Sequence, residues 1–435
     1  MINKVKINIL IFPGGTENAL EIFRSLRYIK EVKIFSATSN ALNHAPYVYN
    51  INHVIREVGK NGWIRDLNRV IEENSIDLIF PANSFVIDYL NRHRSEIKTK
   101  ILLPDERVIN VTRSKKLTTA VLRKVIPVAM SYDSIEAIDE FPVFIKPDNG
   151  YGSQNTHLIW DRESFKKIKN IKDFIIQEYL SGDEYTIDCF SDRHNCLKFV
   201  GGRKRERIRM GTSMHCKIVD ENLNKYFSEI AQKIQAKIKP RGAWFFQLKE
   251  DKNKNLKLLE VDVRIAGTMA LNRVRGINFP MLAIFDFMER DVDILLNDYR
   301  LTIDRCLLNR YSHNINYHTV YVDLDDTIIT HNKINIEIIS FLYQCINNGK
   351  KIILISKSLE KNRNEYLKKM RIYQIFTEIH WLQETDSKAE LIRKLGAQES
   401  ILIDDSFSQR QEAMQKLGIP TFDNSMIEVL LDDRV

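Results

Sequence analysis

Short β-branched runs alternate with amphipathic helical patterns at both ends of the chain, and this constrains the fold more than any other feature. In residues 1–110, "KINILIF", "EVKIFSA" and "IDLIFPA" have strand character, while "NALEIFRSLRYI" and "WIRDLNRVIEEN" carry the apolar period of helices between them. Such βα alternation predicts a parallel sheet with helices on both faces. Residues 111–300 break the pattern: "FPVFIKP", "FIIQEYL", "EYTIDCF", "AWFFQLKED" and "LKLLEVDVRI" read as strands in a mixed α+β segment. The polar stretch 301–317, rich in Asn, His and Arg, lacks periodicity and reads as a linker. A second βα alternation starts at "TVYVDLDD" and fills 318–435. The expectation is a multidomain protein of α/β and α+β class.

A chain of 435 residues is long enough to bury several such cores. No apolar run approaches the ~18–20 residues that cross a bilayer. The amino-terminal run stops at Gly14-Gly15 without a small-residue cleavage site, so it reads as a first strand. Cys189, Cys196, Cys216, Cys306 and Cys345 are scattered and form no CxxC, which fits a reduced, cytoplasmic protein without structural zinc. A formal charge of +8 suits anionic small molecules as well as nucleic acid. The strongest basic run, "GGRKRERIRMGTSMHCK" (201–217), has no aromatic residues among its charges, which argues against a single-stranded nucleic-acid platform. Its bland reading is a solvated face; the sharper one has Arg203, Arg205 and Arg209 facing an anionic ligand.

In the last domain, three strand-like runs each end in polar groups. "VYVDLDDT" ends in Asp323, Asp325 and Asp326, "KIILISKS" reaches Ser356, and "SILIDDS" ends in Asp404 and Asp405. Lys388 opens the helical "DSKAELIRKL" between the last two. In an open parallel sheet these groups converge at the carboxyl edge, where ligands of such sheets sit. The order resembles the four motifs of the haloacid-dehalogenase (HAD) superfamily. That resemblance implies a Rossmann-like phosphatase domain in which Asp323 is the nucleophile and Asp325 the general acid and base. It makes Ser356 and Lys388 the phosphoryl-holding groups, with Asp323, the Asp325 carbonyl, and Asp404 or Asp405 as Mg²⁺ ligands. No segment long enough for a cap domain separates the motifs, so the domain is expected to be capless.

In the middle segment, "VFIKPDNGYGSQNTHLI" sets Lys146 before a glycine-rich turn with Gly150, Gly152 and Ser153. Glycines there let backbone N–H groups approach phosphate oxygens. The turn is not a Walker loop, since GKS/T is missing. With "FIIQEYLSGDEYTID" and "FFQLKEDKNKNLKLLEVDVRIAG", it resembles the ATP-grasp superfamily, and residues 1–110 resemble the α/β domain that precedes the ATP-grasp fold. The resemblance implies ATP and Mg²⁺. Lys116 (Lys115 on a one-residue shift) and Lys146 would contact phosphates, and Glu178, Leu180 and Glu184 would hold adenine and ribose. Gln247, Glu260 and Asp262 would bind Mg²⁺, and Arg264 would meet the transferred phosphoryl group, whose oxygens a planar guanidinium fits. Asp262 stands where the family usually has Asn.

Together the two resemblances imply a bifunctional enzyme. One half would be an ADP-forming carboxylate–amine ligase acting through an acyl phosphate, and the other a Mg²⁺-dependent phosphomonoesterase. Its partners would then be a small carboxylate, an amine and a phosphomonoester, with no membrane. An ATP-grasp kinase paired with the phosphatase, a nucleic-acid end-processing enzyme, and a non-catalytic binding module are the alternatives.

Overall fold

The computed structural model of the chain describes residues 6–150, 155–166, 168, 171–357, 362–432 and 434. Two compact units divide between Leu307 and Leu308. In unit 1, β1 (Ile7–Phe12), β2 (Val32–Thr38), β3 (Asn52–Val54), β4 (Leu78–Pro81) and β5 (Lys100–Ile101) pair in parallel in the order β3-β2-β1-β4-β5. Strand β1 reads as one apolar run because both its faces are covered. Leu10 and Phe12 join one core with Trp63 and Leu67 of helix Trp63–Glu73, while Ile9 and Ile11 join another with Ile22 and Phe23 of helix Glu17–Leu26. The strand order reverses between β1 and β4. Helices Glu17–Leu26 and Ser84–Arg92, which follow these two strands, are each N-capped by a side chain: Thr16 accepts from the Ala19 N–H and Asn83 from the Val86 N–H.

Two antiparallel sheets complete the unit. The first has the order β6-β9-β7-β8, from β6 (Ser131–Tyr132), β7 (Val143–Pro147), β8 (His157–Ile159) and β9 (Phe174–Glu178). The second has the order β14-β13-β10-β11-β12-β15, from β10 (Glu184–Ser191), β11 (Leu197–Arg209), β12 (Thr212–Ile218), β13 (Gly242–Glu250), β14 (Leu256–Asp262) and β15 (Thr302–Asp304). On its apolar face Tyr185, Ile187, Trp244, Phe246 and Leu248 pack with Phe227, Ile230 and Ile234 of helix Glu221–Ile238. The basic run is therefore a hairpin of β11 and β12. Its Gly201-Gly202 pair interrupts a strand pattern in sequence, yet the fold needs it: a Cβ on Gly201 would lie 2.6 Å from the Phe199 ring, and one on Gly202 would lie 2.4 Å from that of Phe227. Strand β15 falls inside the expected linker of 301–317 and pairs with β12.

Unit 2 contains a parallel sheet of order β20-β19-β16-β21-β22, from β16 (Thr319–Val322), β19 (Lys351–Ser356), β20 (Glu378–Trp381), β21 (Ser400–Ile403) and β22 (Thr421–Phe422). A small hairpin, β17 (Ile329–Thr330) with β18 (Lys333–Ile334), and helix Ile336–Asn347 fill the crossover from β16 to β19. Among the described residues, no helix is long and apolar enough to cross a membrane, and all five cysteines are free.

Among the described residues of unit 1, one ion pair is fully buried. Arg203 on β11 donates to both Asp188 carboxylate oxygens on β10 at 2.9 and 3.0 Å, and Asn272 donates to the same carboxylate at 2.9 Å. Burial alone would lower the Arg203 pKa, but Asp188 outweighs it and holds the guanidinium charged. Removing one partner leaves an uncompensated buried charge, which costs about 3–5 kcal/mol. Arg203→Met is expected to lower the urea midpoint of unit 1 accordingly, and the double variant Arg203→Met/Asp188→Leu to recover most of the loss; a double variant no more stable than Arg203→Met would show that the pair is not what is lost.

Candidate active sites

A cleft of about 420 Å³ in unit 1 is lined by both antiparallel sheets and by the first turns of the helices that follow β1 and β4. Its floor is set by strand register. Residues Arg203, Thr186, Gln247 and Glu260 are cross-strand partners in one row over β11, β10, β13 and β14, and all four line the cleft. Side chains alternate faces along a strand, so Glu184 and Lys249, each two residues from this row and paired with one another, face the same side. Lys249 was not singled out in the sequence, although its spacing from Gln247 is the signal that finds it.

Lys146 at the end of β7 is buried and donates to the Leu259 carbonyl at 3.0 Å. Burial pushes its ammonium pKa down to about 8 against the pull of Glu260. Lys115, not Lys116, faces the cleft. Its Nζ donates to the carbonyls of Asp148 (3.1 Å) and Gly150 (2.9 Å), and burial lowers its pKa while Glu260 and Asp148 oppose the shift. Lys116, one position on in helix Lys115–Leu122, turns out toward the Lys172 carbonyl. The Asp148 carboxylate accepts from the Ser114 hydroxyl and the Lys116 N–H, which ties the start of the glycine-rich turn to that helix. Gly150 lines the cleft; Gly152 and Ser153 lie outside the described residues.

At the hinge between β9 and β10, Glu178, Leu180 and Glu184 all line the cleft. The Glu178 carboxylate accepts from the Met130 N–H at 2.6 Å and pairs with Lys257 at 2.7 Å, and Glu184 pairs with Arg205. Of the expected metal ligands, Gln247 and Glu260 face the cleft. The Asp262 carboxylate instead accepts from the Ser84 hydroxyl at 2.8 Å and pairs with Arg264 at 2.8 Å. Ser84 reaches it from the preceding α/β region, a contact 178 residues away in sequence. Arg209 lies on the exposed end of the hairpin.

In unit 2, parallel pairing of β16 with β19 and β21 brings the ends of all three strands to one edge. Lys388, at the start of helix Lys388–Leu395, is buried and donates to Asp323 and to Asp404, each at 2.6 Å. Burial raises the Asp323 carboxyl well above its usual range; Lys388 opposes this and Asp404 adds to it. Burial alone would lower Lys388, but the two carboxylates outweigh it and hold the ammonium charged. Oxygens of Asp323, Asp404 and Asp405 lie within 4.8 Å of one another, the one such group of three or more His, Cys, Asp or Glu residues among the described residues. Ser356 is buried at the end of β19, and Asp325 is exposed in the loop after β16. Thr327 fixes the Asp405 loop: its hydroxyl accepts from the Asp405 N–H at 3.0 Å. Arg410 closes that loop from behind, donating to the Asp404 and Asp405 carbonyls at 2.6 Å each.

A parallel α/β domain followed by two antiparallel sheets that enclose a lysine-lined cleft defines an ATP-grasp fold, and unit 1 has that fold. Residues 170–303 match the family described as "ATP-grasp in the biosynthetic pathway with Ter operon". No curated protein matches the chain. Among solved structures, the chain is similar to a biotin carboxylase from Campylobacter jejuni in complex with β,γ-ATP, at 18% identity and TM-score 0.57 over 66% of this chain and 73% of that one. It is similar to the biotin carboxylase domain of the Hydrogenobacter thermophilus 2-oxoglutarate carboxylase, in complex with MgADP and bicarbonate, at 12% identity and TM-score 0.58 over 67% and 71%. It is also similar to N5-carboxyaminoimidazole synthetase from Staphylococcus aureus with ADP, at 16% identity and TM-score 0.56 over 70% and 84%. The family match ends at residue 303, before unit 2 begins.

The depressed pKa of Lys146 gives a signed expectation. A bound polyphosphate raises an ammonium pKa, so the bound state holds the proton over a range where the free protein loses it. Affinity for inorganic tripolyphosphate should therefore be flat below about pH 8 and fall as pH rises above it, by up to about tenfold per pH unit. Calorimetry from pH 7 to 9.5 checks this, and Lys146→Arg, charged throughout, should flatten the profile. A wild-type profile as flat as that of the arginine variant would show that Lys146 does not meet the phosphates.

Proposed function

We propose that unit 1 is an ATP-dependent, ADP-forming ligase of the carboxylate–amine type and unit 2 a Mg²⁺-dependent phosphomonoesterase. The observation that carries the first half is the row Arg203–Thr186–Gln247–Glu260, which lines the same cleft as the buried Lys146. Two ammonium groups with burial-lowered pKa values suit polyphosphate binding, and buried Leu180 at the hinge offers an apolar seat for a base. Glu178 and Glu184 flank that seat.

Glu260 and Gln247 are oxygen donors in cross-strand register, a donor set that fits a hard divalent cation. They would hold Mg²⁺ with Asp262, whose carboxylate Arg264 and Ser84 now occupy. The ion would neutralise phosphate charge during transfer. Arg264 stacks on the Phe245 ring at 5.0 Å and so holds its guanidinium at the cleft wall, where it would stabilise the phosphoryl group passing to a carboxylate. The amine then displaces phosphate from the acyl phosphate to give the amide. The similar solved structures, which hold ATP analogues or ADP, support the nucleotide.

For unit 2 the carrying observation is the buried Lys388 bridging Asp323 and Asp404. Asp323 would attack the phosphoryl group, and Asp325 would protonate the leaving oxygen and then activate water. Ser356 and Lys388 would hold phosphoryl oxygens. The gathered carboxylates of Asp323, Asp404 and Asp405 fit Mg²⁺.

Two variants separate the halves. Glu260→Gln should lower ADP formation by two orders of magnitude or more, within the ~10²–10³ that one electrostatic contact supplies, and leave phosphomonoester hydrolysis unchanged. Asp323→Asn should abolish hydrolysis and leave ADP formation intact. Full phosphatase activity in Asp323→Asn would refute nucleophilic attack by this residue.

ADP release in wild type should also require both a carboxylate and an amine. If the phosphatase acts on a phosphate carried by the amine, mass spectrometry of the product from Asp323→Asn should show an amide one phosphate heavier than that from wild type. Rapid ADP release with a phosphorylated single substrate and no amide would make unit 1 a kinase.

A further inference from the structure

We propose that Arg305 forms a subsite for a second anionic group on the acceptor, so that the acid activated in unit 1 carries two anionic groups; this rests on the ligase reading of the same cleft. Arg305 follows β15, inside what reads in sequence as a linker, and lines the cleft beside Glu17, Ser84 and Thr268. Three features hold its side chain. Its backbone N–H donates to the Met214 carbonyl at 2.9 Å, its Nη1 reaches the Ser213 carbonyl at 3.5 Å, and its guanidinium lies on Gly267. A Cβ on Gly267 would sit 3.1–3.3 Å from Nη2, Nη1 and Cζ, so a larger residue there would press on the guanidinium.

The counter-ions show which arginine is available. Arg203 is matched by Asp188, Arg205 by Glu184 and Arg264 by Asp262, whose side chains are 0%, 13% and 21% exposed. Arg305 pairs with Glu17 at 2.7 Å, and that glutamate is 59% exposed while Arg305 is 20% exposed. An exposed carboxylate of this kind holds its partner weakly. Glu17 thus occupies the guanidinium as a substrate carboxylate would, and leaves it at little cost. Helices Glu17–Leu26 and Ser84–Arg92 also begin at this end of the cleft, and their positive ends add to the preference for negative charge. A planar guanidinium grips a carboxylate or a phosphoryl group through two parallel N–H···O bonds. The activated carboxylate would meet Arg264, leaving Arg305 to select for the second group.

Calorimetry of the full chain with succinate, 3-phosphonopropionate and butyrate, each with and without MgADP, tests this. Wild type should bind the two dianions about tenfold more tightly than butyrate, the scale of one charge-assisted contact. Arg305→Met should bind all three alike with MgADP affinity unchanged, Arg305→Lys should keep part of the preference, and Glu17→Gln should tighten both dianions. The dianion bound more tightly tells whether a carboxylate or a phosphoryl group fills the subsite. Equal wild-type affinity for succinate and butyrate overturns the proposal, as does a preference that survives in Arg305→Met with its thermal melt intact. MgADP binding without any dianion preference refutes the subsite and leaves the ligase reading standing; a dianion preference without MgADP binding does the reverse.

Discussion

The cleft of unit 1 depends on one register. Because side chains alternate across a sheet, a slip of a single residue between β10 and β13 would move Gln247 and Lys249 to the helix-covered face and bring Phe246 and Leu248 into the cleft. The apolar face prevents the slip. Trp244, Phe246 and Leu248 are each buried on the face that helix Glu221–Ile238 covers, and exposing them would forfeit about 1.5–3 kcal/mol apiece. The polar row that lines the cleft is therefore held in place by the apolar row behind it.

The charges in that row follow from the same logic. A lysine buried as deeply as Lys146 would not stay charged without acids nearby, and Glu260 is the largest favourable influence on it. Glu260 also raises Lys115 against its burial. One carboxylate thus offsets part of the burial penalty on both ammonium groups of the cleft. Asp262 has a different state: its charge is absorbed by Arg264 and by the Ser84 hydroxyl. On the ligase reading, a metal that claimed Asp262 would at the same time release Arg264 toward the cleft, so the aspartate would couple the two groups.

Much of this was legible in the chain. β-branched runs marked the strands, and the resemblance to the ATP-grasp superfamily singled out Gln247 and Glu260, which the strand register pairs across β13 and β14. Three things were not legible, each for a physical reason. Ser114 caps helix Lys115–Leu122, but which of Lys115 and Lys116 enters the cleft depends on remote partners: the Asp148 and Gly150 carbonyls take Lys115 and the Lys172 carbonyl takes Lys116. The basic run 201–217 hides a long strand, because the packing of Phe199 and Phe227 demands two glycines where a strand pattern would put side chains. Arg305 sits in a polar, aperiodic stretch whose short strand β15 exists only because β12 offers it an edge. In unit 2 the strand ends that carry Asp323, Ser356 and Asp404 come to one edge as their parallel order requires, and polar groups at the ends of apolar runs made that edge legible.

Unit 2 poses a charge problem that its own side chains do not solve. Asp323, Asp404 and Asp405 bring three negative charges, and Lys388 returns one, which leaves the cluster at −2 when all are ionised. Burial makes that residue of charge expensive, and it shows as the upward shift of both Asp323 and Asp405. A phosphomonoester is itself close to dianionic at neutral pH and would be repelled from such a cluster. One divalent cation at these oxygens brings the count to zero, while Lys388 still has an N–H to offer a phosphoryl oxygen. On the phosphatase reading, then, the acids that repel the substrate also make its binding conditional on a divalent cation: the same carboxylates that would hold the ion set the charge that must be neutralised before a phosphate can approach Asp323.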